Sequence, residues 1–144
     1  MPETPEDRAR KTIDGLLVAA GWIVQDRDSV NLNAGRGVAI RSFPLKFGHG
    51  FADYLLYVDG RAAAVVEAKK EGETLTTYEI QTAKYSEGLP DGLNAHRRPL
   101  PFCYQSTGIE TRFTNLLDPD PRSRQVFGND LQPLLKELNE ALAA

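Results

Sequence analysis

Apolar residues recur at helical spacing over the first twenty positions of the chain. Thr4 followed by Pro5 is typical of an N-cap and a first helical residue, and the acidic residues after them suit the positive end of the helix dipole. The apolar stripe consists of Ala9, Ile13, Leu16, Leu17 and Ala20. Gly21 then stands where a helix ends in a left-handed residue. The pattern predicts an amphipathic N-terminal helix that buries one face.

Short apolar runs separated by turn residues follow this helix. Residues 51–58 and 61–69 flank Asp59-Gly60, the strongest short-range signal for a β-hairpin. Both runs are almost continuously apolar, which is typical of strands covered on both faces. Further strands are predicted at 22–24, 38–43, 102–106 and 109–114, with a turn-rich connector at 46–50.

Two more helices are predicted in the second half of the chain. The first begins near Thr76 or Thr77 and ends near Gly88, and the second carries a leucine stripe over residues 131–142. Residues 118–124 are predicted to form a turn. The order of helices and strands predicts an α/β fold in which a mixed central sheet is flanked by helices.

Composition narrows the class of protein. The chain has 144 residues, as expected of a single domain, and 17 Lys and Arg against 20 Asp and Glu give a net charge of −3. This balance excludes a basic surface over the whole domain, so that any contact with nucleic acid must be local. With one cysteine, no signal peptide and no long apolar run, the sequence predicts a cytoplasmic protein without membrane contact.

Three charged residues interrupt the apolar hairpin: Asp53, Glu67 and Lys69. Glu67 and Lys69 share a strand face, because side chains alternate along a strand. A two-residue Asp59-Gly60 loop sets Asp53 across from Val66 and therefore on the opposite face. A three-residue loop, either 58–60 or 59–61, brings Asp53 to the face of Glu67, and the second of these sets the two acids directly across from each other.

Two carboxylates on one face repel each other unless a cation bridges them, and Mg²⁺ is a natural bridge. Asp53 and Glu67 are then predicted metal ligands, the Ala68 carbonyl is a third, and Lys69 positions a water or a phosphate oxygen. This set of groups is typical of phosphodiester hydrolysis. The alternative interpretation is that residues 67–71 form a charged strand end in a solvated loop.

The spacing of these residues resembles a known nuclease signature. Glu67-Ala68-Lys69 begins fourteen positions after Asp53, and a further fourteen positions separate Glu67 from Gln81, which with Tyr85 forms a Gln-x-x-x-Tyr helix motif. The set resembles the PD-(D/E)XK nucleases, with Ala52 where the proline often stands. Together with matches over about residues 6–127, it resembles the nuclease domain at the N-terminus of the R (motor) subunit of type I restriction enzymes.

The resemblance implies a restriction-endonuclease-like core and Mg²⁺-dependent DNA cleavage, with Mn²⁺ as a substitute. It implies catalytic roles for Asp53, Glu67 and Lys69, with Gln81 and Tyr85 beside them. It also implies partners: DNA, a helicase or motor domain, and methylase and specificity subunits. Residues 1–144 are therefore interpreted as one nuclease domain, either a fragment of a larger subunit or a stand-alone relative.

Other residues define the alternatives and the departures from the family. Ser42 stands where relatives commonly carry a glutamate, and no P-loop is present, so no ATP site is expected in this chain. Cys103 is predicted to be a buried apolar residue, and His49 and His96 to be loop residues. Two other functions stay open: a non-catalytic DNA-binding or docking module, and a related repair or Holliday-junction-type nuclease that works as a dimer.

Overall fold

The computed structural model describes residues 4–45, 51–69, 90, 92–95, 100, 102–115 and 124–126. Within them lie one α-helix, a short 3-10 helix at Arg27–Ser29 and a seven-stranded sheet. The elements are α1 (Pro5–Ala19), β1 (Ile23–Asp26), β2 (Gly37–Pro44), β3 (Phe51–Val58), β4 (Arg61–Ala68), β5 (Phe102–Ser106), β6 (Thr111–Asn115) and β7 (Arg124–Val126). The two later helices predicted from the sequence lie outside the described residues. Nowhere in this described part is a helix long and apolar enough to span a bilayer.

The N-terminal helix begins and ends where its sequence predicts. The Thr4 hydroxyl accepts a hydrogen bond from the Asp7 N–H, and the Asp7 carboxylate accepts one from the Thr4 N–H, which together form a capping box. At the other end Gly21 has a φ of 99°, the left-handed conformation that glycine adopts without steric cost. The helix prediction is confirmed.

The sheet is mixed and its strands lie in the order in which they occur along the chain. The pairs β1–β2 and β4–β5 are parallel, and the other four neighbouring pairs are antiparallel. The predicted mixed sheet is therefore confirmed. Of the turn predicted over 118–124, only Arg124 is described, and for this residue the prediction is wrong, because Arg124 pairs with Phe113 at the start of the three-residue strand β7.

Buried apolar residues cover both faces of the central strands, as the unbroken apolar runs predict. On one face α1 packs through Ile13 and Leu17 against a cluster that includes Tyr54 and Phe102. The cluster on the other face includes Leu55, Val65 and Cys103, which confirms the prediction of a buried cysteine. The strands β3 and β4 thus lie inside the domain, and a charged residue on either strand must find a partner there.

The β3–β4 hairpin combines a two-residue turn with a β-bulge. Asp59 and Gly60 both have positive φ values, 52° and 80°, as in a type I′ turn, and Val58 pairs with Arg61. The pairing then shifts by one position between Tyr57 and Leu56, which leaves Ala63 as the extra residue on β4.

The bulge sets the register at the far end of the hairpin. Beyond it Tyr54 pairs with Val66, which is the last pair of the ladder at this end. In this register Asp53 and Glu67 are the next residues along their two strands. The turn itself is of the two-residue kind, which alone would separate the two acids. The bulge supplies the shift that a three-residue loop was expected to supply.

Candidate functional site

The site lies at the open end of the hairpin, which is the end away from the Asp59-Gly60 turn. The strand alternation breaks here: Ala52 and Leu55 pack in the same cluster, although they are three positions apart, and Tyr54 packs on the other face. On the neighbouring strand Ser42 has a φ of 51°, and the β2–β3 pairing has no pair between Arg41↔Tyr54 and Phe43↔Ala52. Asp53 therefore lies at a break in the ladder.

The Asp53 carboxylate joins three elements. Its Oδ1 accepts hydrogen bonds from Arg10 Nε at 3.0 Å and Nη2 at 2.8 Å, and its Oδ2 accepts one from the Ala68 N–H at 2.8 Å. At the point where β3 and β4 separate, the Ala68 N–H thus donates to the Asp53 side chain and not to a backbone carbonyl of β3. Partial burial alone would lower the pKa of the Arg10 guanidinium. The hydrogen bonds and electrostatic attraction from Asp53 and Asp7 have the opposite effect, and the net result is a raised pKa.

Glu67 and Lys69 form an ion pair at the end of β4. Lys69 Nζ lies 2.8 Å from Glu67 Oε1, and the two side chains are only 18% and 3% exposed. The Lys69 N–H donates to the Ser106 carbonyl at 2.9 Å, which fixes the backbone beside β5. Because Glu67 is buried, the interpretation of this segment as a solvated charged strand end is wrong for Glu67.

A second set of polar contacts fixes α1 against β3 beside the site. The Tyr54 hydroxyl lies 2.9 Å from the Arg10 carbonyl oxygen and also contacts the Asp14 carboxylate. Burial, together with the hydrogen bond to Asp14, raises the pKa of Tyr54 far above its ordinary value. Arg41 donates to Asp14 at 3.1 Å through Nη2. These contacts hold the helix turn that carries Arg10 close to Asp53.

Sequence reasoning did not identify Arg10, Asp14 or Arg41 as part of this region. Arg10 and Asp14 lie in α1 and Arg41 lies in β2. Neither spacing nor polarity distinguishes them from other surface charges. The one available signal is Tyr54, a hydroxyl-bearing residue inside an apolar strand, which requires a hydrogen-bond partner when it is buried.

The donor set fits a hard divalent cation. Mg²⁺ is commonly bound through one or two carboxylates and several waters, and Asp53 and Glu67 are two carboxylates on neighbouring strands. Within the described ranges no group of three or more His, Cys, Asp and Glu side chains converges. A cation bound here would therefore have these two carboxylates, the predicted Ala68 carbonyl and water as its ligands. The contact with Arg10 shows that Asp53 already neutralises one positive charge.

Several predicted residues lie outside the described part of the chain: Gln81, Tyr85, His49 and His96. Their roles stay predictions, as does the role of the Ala68 carbonyl.

Comparison with known proteins shows which family the chain belongs to. The family described as "Type I restriction enzyme EcoKI endonuclease subunit second domain" matches residues 25–110, more than half of the chain. The chain belongs to this family. The match includes the positions of Asp53, Glu67, Lys69, Gln81 and Tyr85. The resemblance to the type I restriction endonuclease subunit that the motifs indicate is therefore confirmed.

A curated relative agrees with this assignment. The type I restriction enzyme EcoKI endonuclease subunit of Escherichia coli strain K12 is 29% identical over 150 aligned positions. The alignment covers 76% of this chain and 13% of the relative, so that the match spans about an eighth of the longer protein. No solved structure matches the chain.

Proposed function

We propose that this domain is a Mg²⁺-dependent DNA endonuclease of a type I restriction system. One observation carries the proposal: at the open end of a buried hairpin the Asp53 carboxylate accepts a hydrogen bond from the Ala68 N–H, and Glu67 and Lys69, on either side of Ala68, form a largely buried ion pair. Burying a carboxylate at a strand end lowers the free energy of unfolding unless it is paired, and unfavourable buried charges of this kind are common at functional sites.

Each residue has a distinct role in the proposed reaction. Asp53 and Glu67 hold the cation through carboxylate oxygens, and the Ala68 N–H keeps Asp53 oriented across the gap between the strands. Lys69, held beside Glu67, directs its ammonium group to the attacking water or to a phosphate oxygen. When bound, Mg²⁺ supplies charge neutralisation at the phosphate and lowers the pKa of a water.

The proposed cellular context follows from the relative and from the net charge. The relative is named an endonuclease subunit of a type I restriction enzyme and is much longer than this chain. A domain with a net charge of −3 has weak general attraction for DNA, because such affinity depends on Lys and Arg contacts with phosphates. We therefore propose that a helicase or motor domain and the methylase and specificity subunits deliver DNA to it.

A plasmid-nicking assay with Mn²⁺ or Mg²⁺ tests the proposal. Glu67→Ala and Lys69→Ala are each expected to lower the nicking rate by at least about 100-fold, because each removes a group that acts on the reacting phosphate or its cation. Asp59→Asn is the matched control, since it removes a carboxylate at the turn end of the same hairpin. Equal nicking by wild type and both site variants would overturn the assignment.

A docking module without catalysis is the second candidate. The observation that favours it is that both acids already have cationic partners within the chain, Arg10 and Lys69. A Mg²⁺ titration followed by NMR separates the two functions. Chemical shift changes centred on Asp53 and Glu67 are expected for the nuclease, and unchanged shifts there would favour the docking module.

A further inference from the structure

One buried polar group near the site lacks a partner. The Gln105 side chain is 3% exposed, and its Nε2 makes no hydrogen bond among the contacts of the described residues. Leaving a buried amide donor unpaired is unfavourable, and native proteins rarely do so without a reason. The amide therefore indicates an acceptor that arrives from elsewhere or moves into place.

The sheet register places Gln105 directly beside Glu67. In the parallel β4–β5 pair Glu67 is the partner of Gln105, and in the antiparallel β5–β6 pair Gln105 is the partner of Arg112. Paired residues on adjacent strands share a face and stand about 4.8 Å apart. Glu67, Gln105 and Arg112 thus form one polar row across three strands.

This row contrasts with its surroundings on the same face. Two positions before Glu67 and Gln105 on their strands lie Val65 and Cys103, which pair with each other inside the apolar cluster. Two positions along each strand, on the same face, the side chains therefore change from apolar to polar. Gln105 belongs to the polar end and not to the packing core.

From this placement we infer that Gln105 is a positioning residue for Glu67. Its Nε2 donates a hydrogen bond to the Glu67 carboxylate when that carboxylate holds a divalent cation. Carboxylates that bind metals are generally held by a neighbouring hydrogen-bond donor, and losing that donor weakens binding. Lys69 holds Glu67 Oε1 in the structure described, and Gln105 supplies a neutral donor from the adjacent strand. The inference rests on the proposed metal-dependent function.

The first test combines metal affinity with thermal stability in the 144-residue chain. Gln105→Met keeps a side chain of similar length without the donor, and it is expected to weaken Mn²⁺ binding about tenfold in a calorimetric titration. Its melting temperature is expected to stay the same or rise, because an unpaired buried amide is removed. Gln25→Met, on the edge strand β1, is the matched control and should leave the Mn²⁺ affinity unchanged. A lower melting temperature with unchanged affinity would make Gln105 a purely structural residue.

The second test follows NMR resonances in the wild-type chain and uses Glu67→Ala as its control. The side-chain NH₂ resonances of Gln105 are expected to move downfield when Mg²⁺ saturates the site, as a new hydrogen bond forms. The same resonances should stay in place in Glu67→Ala. If wild type shows Mg²⁺-dependent shifts at Asp53 and Glu67 while the Gln105 amide does not move, this inference fails and the proposed function stands. If no Mg²⁺-dependent shift occurs anywhere in the site, both fail together.

Discussion

The two ends of the β3–β4 hairpin carry similar ion pairs in opposite surroundings. At the turn end Arg36 Nε lies 3.0 Å from Asp59 Oδ1, and both side chains are more than half exposed. At the open end Lys69 and Glu67 are separated by 2.8 Å, and Glu67 is almost fully buried. The distances hardly differ, whereas the solvation does. Burial, and not contact distance, therefore determines how much each pair contributes to stability. Water solvates the charges of an exposed pair, whereas a buried charge depends on its protein partners.

The second pair at the open end is intermediate. Arg10 and Asp53 are 41% and 19% exposed, and the carboxylate also accepts the Ala68 N–H. The Asp53 carboxylate therefore keeps a hydrogen-bond donor if its cation is removed. The open end thus contains one almost fully buried acid and one partly buried acid.

Lys69→Met is expected to have the largest effect on stability, because it leaves the buried Glu67 charge without its ammonium partner. Breaking a buried pair from one side costs about 3–5 kcal/mol of the free energy of unfolding. Urea denaturation at pH 7 measures the change. The double variant Glu67→Gln with Lys69→Met should recover much of the loss, since this pair of positions then carries no charge. A loss below about 1 kcal/mol for the single variant would place this pair in the same class as the exposed one.

Arg10→Met is expected to strengthen metal binding by about tenfold, since it removes a positive charge that competes for Asp53. A Mg²⁺ or Mn²⁺ titration of the folded chain measures the effect. Arg36→Met is the matched control, because it removes an arginine from the exposed pair at the turn end. Weaker binding by Arg10→Met would show instead that Arg10 orients Asp53 for the cation.

The turn end could be predicted from the sequence more fully than the open end. Asp59-Gly60 signals its turn locally, and the structure has that turn. The bulge at Ala63 gives no such signal. Ala63 lies within three consecutive alanines, where no polar residue marks a change in the alternation of strand faces. The sequence therefore left the relative position of Asp53 and Glu67 open. Their relative position depends on a register that three identical small side chains do not reveal.

Gln105 shows another limit of pattern reasoning. Residues 102–106 were correctly predicted as a strand, but one amide in a short apolar run is common and indicates no function by itself. The role inferred for it depends on the parallel pairing with β4, which joins residues 38 positions apart in the chain. The family, by contrast, was indicated by a resemblance to known motifs, because several weak motifs that occur in the family's order are specific together.

Gly60→Ala tests the turn end through the backbone. Gly60 has a φ of 80°, and a Cβ there would meet no atom within 4 Å, so that the cost comes from conformation alone. A loss of about 1 kcal/mol is expected. Gly15→Ala is the control, and it is expected to raise stability. Gly15 lies inside α1, and a Cβ there would also meet no atom within 4 Å, so alanine should stabilise the helix by about 0.5–1 kcal/mol. Thermal unfolding of both variants measures this, and a neutral Gly60→Ala would show that the turn relaxes.

The smallest effect is expected from the exposed pair, and it completes the comparison. Arg36→Met should cost no more than about 1 kcal/mol, and the cost should shrink as salt is raised, because water and ions already support both charges. The Asp59 N–H still donates to the Arg36 carbonyl at 2.9 Å, so that the backbone contact survives the substitution. Asp59→Asn removes the other charge and keeps a residue that tolerates positive φ, which allows a double-mutant cycle without disturbing the turn. Urea denaturation at low and high salt yields the coupling free energy. A coupling as large as that at Lys69 and Glu67, and insensitive to salt, would mean that burial does not distinguish the two ends.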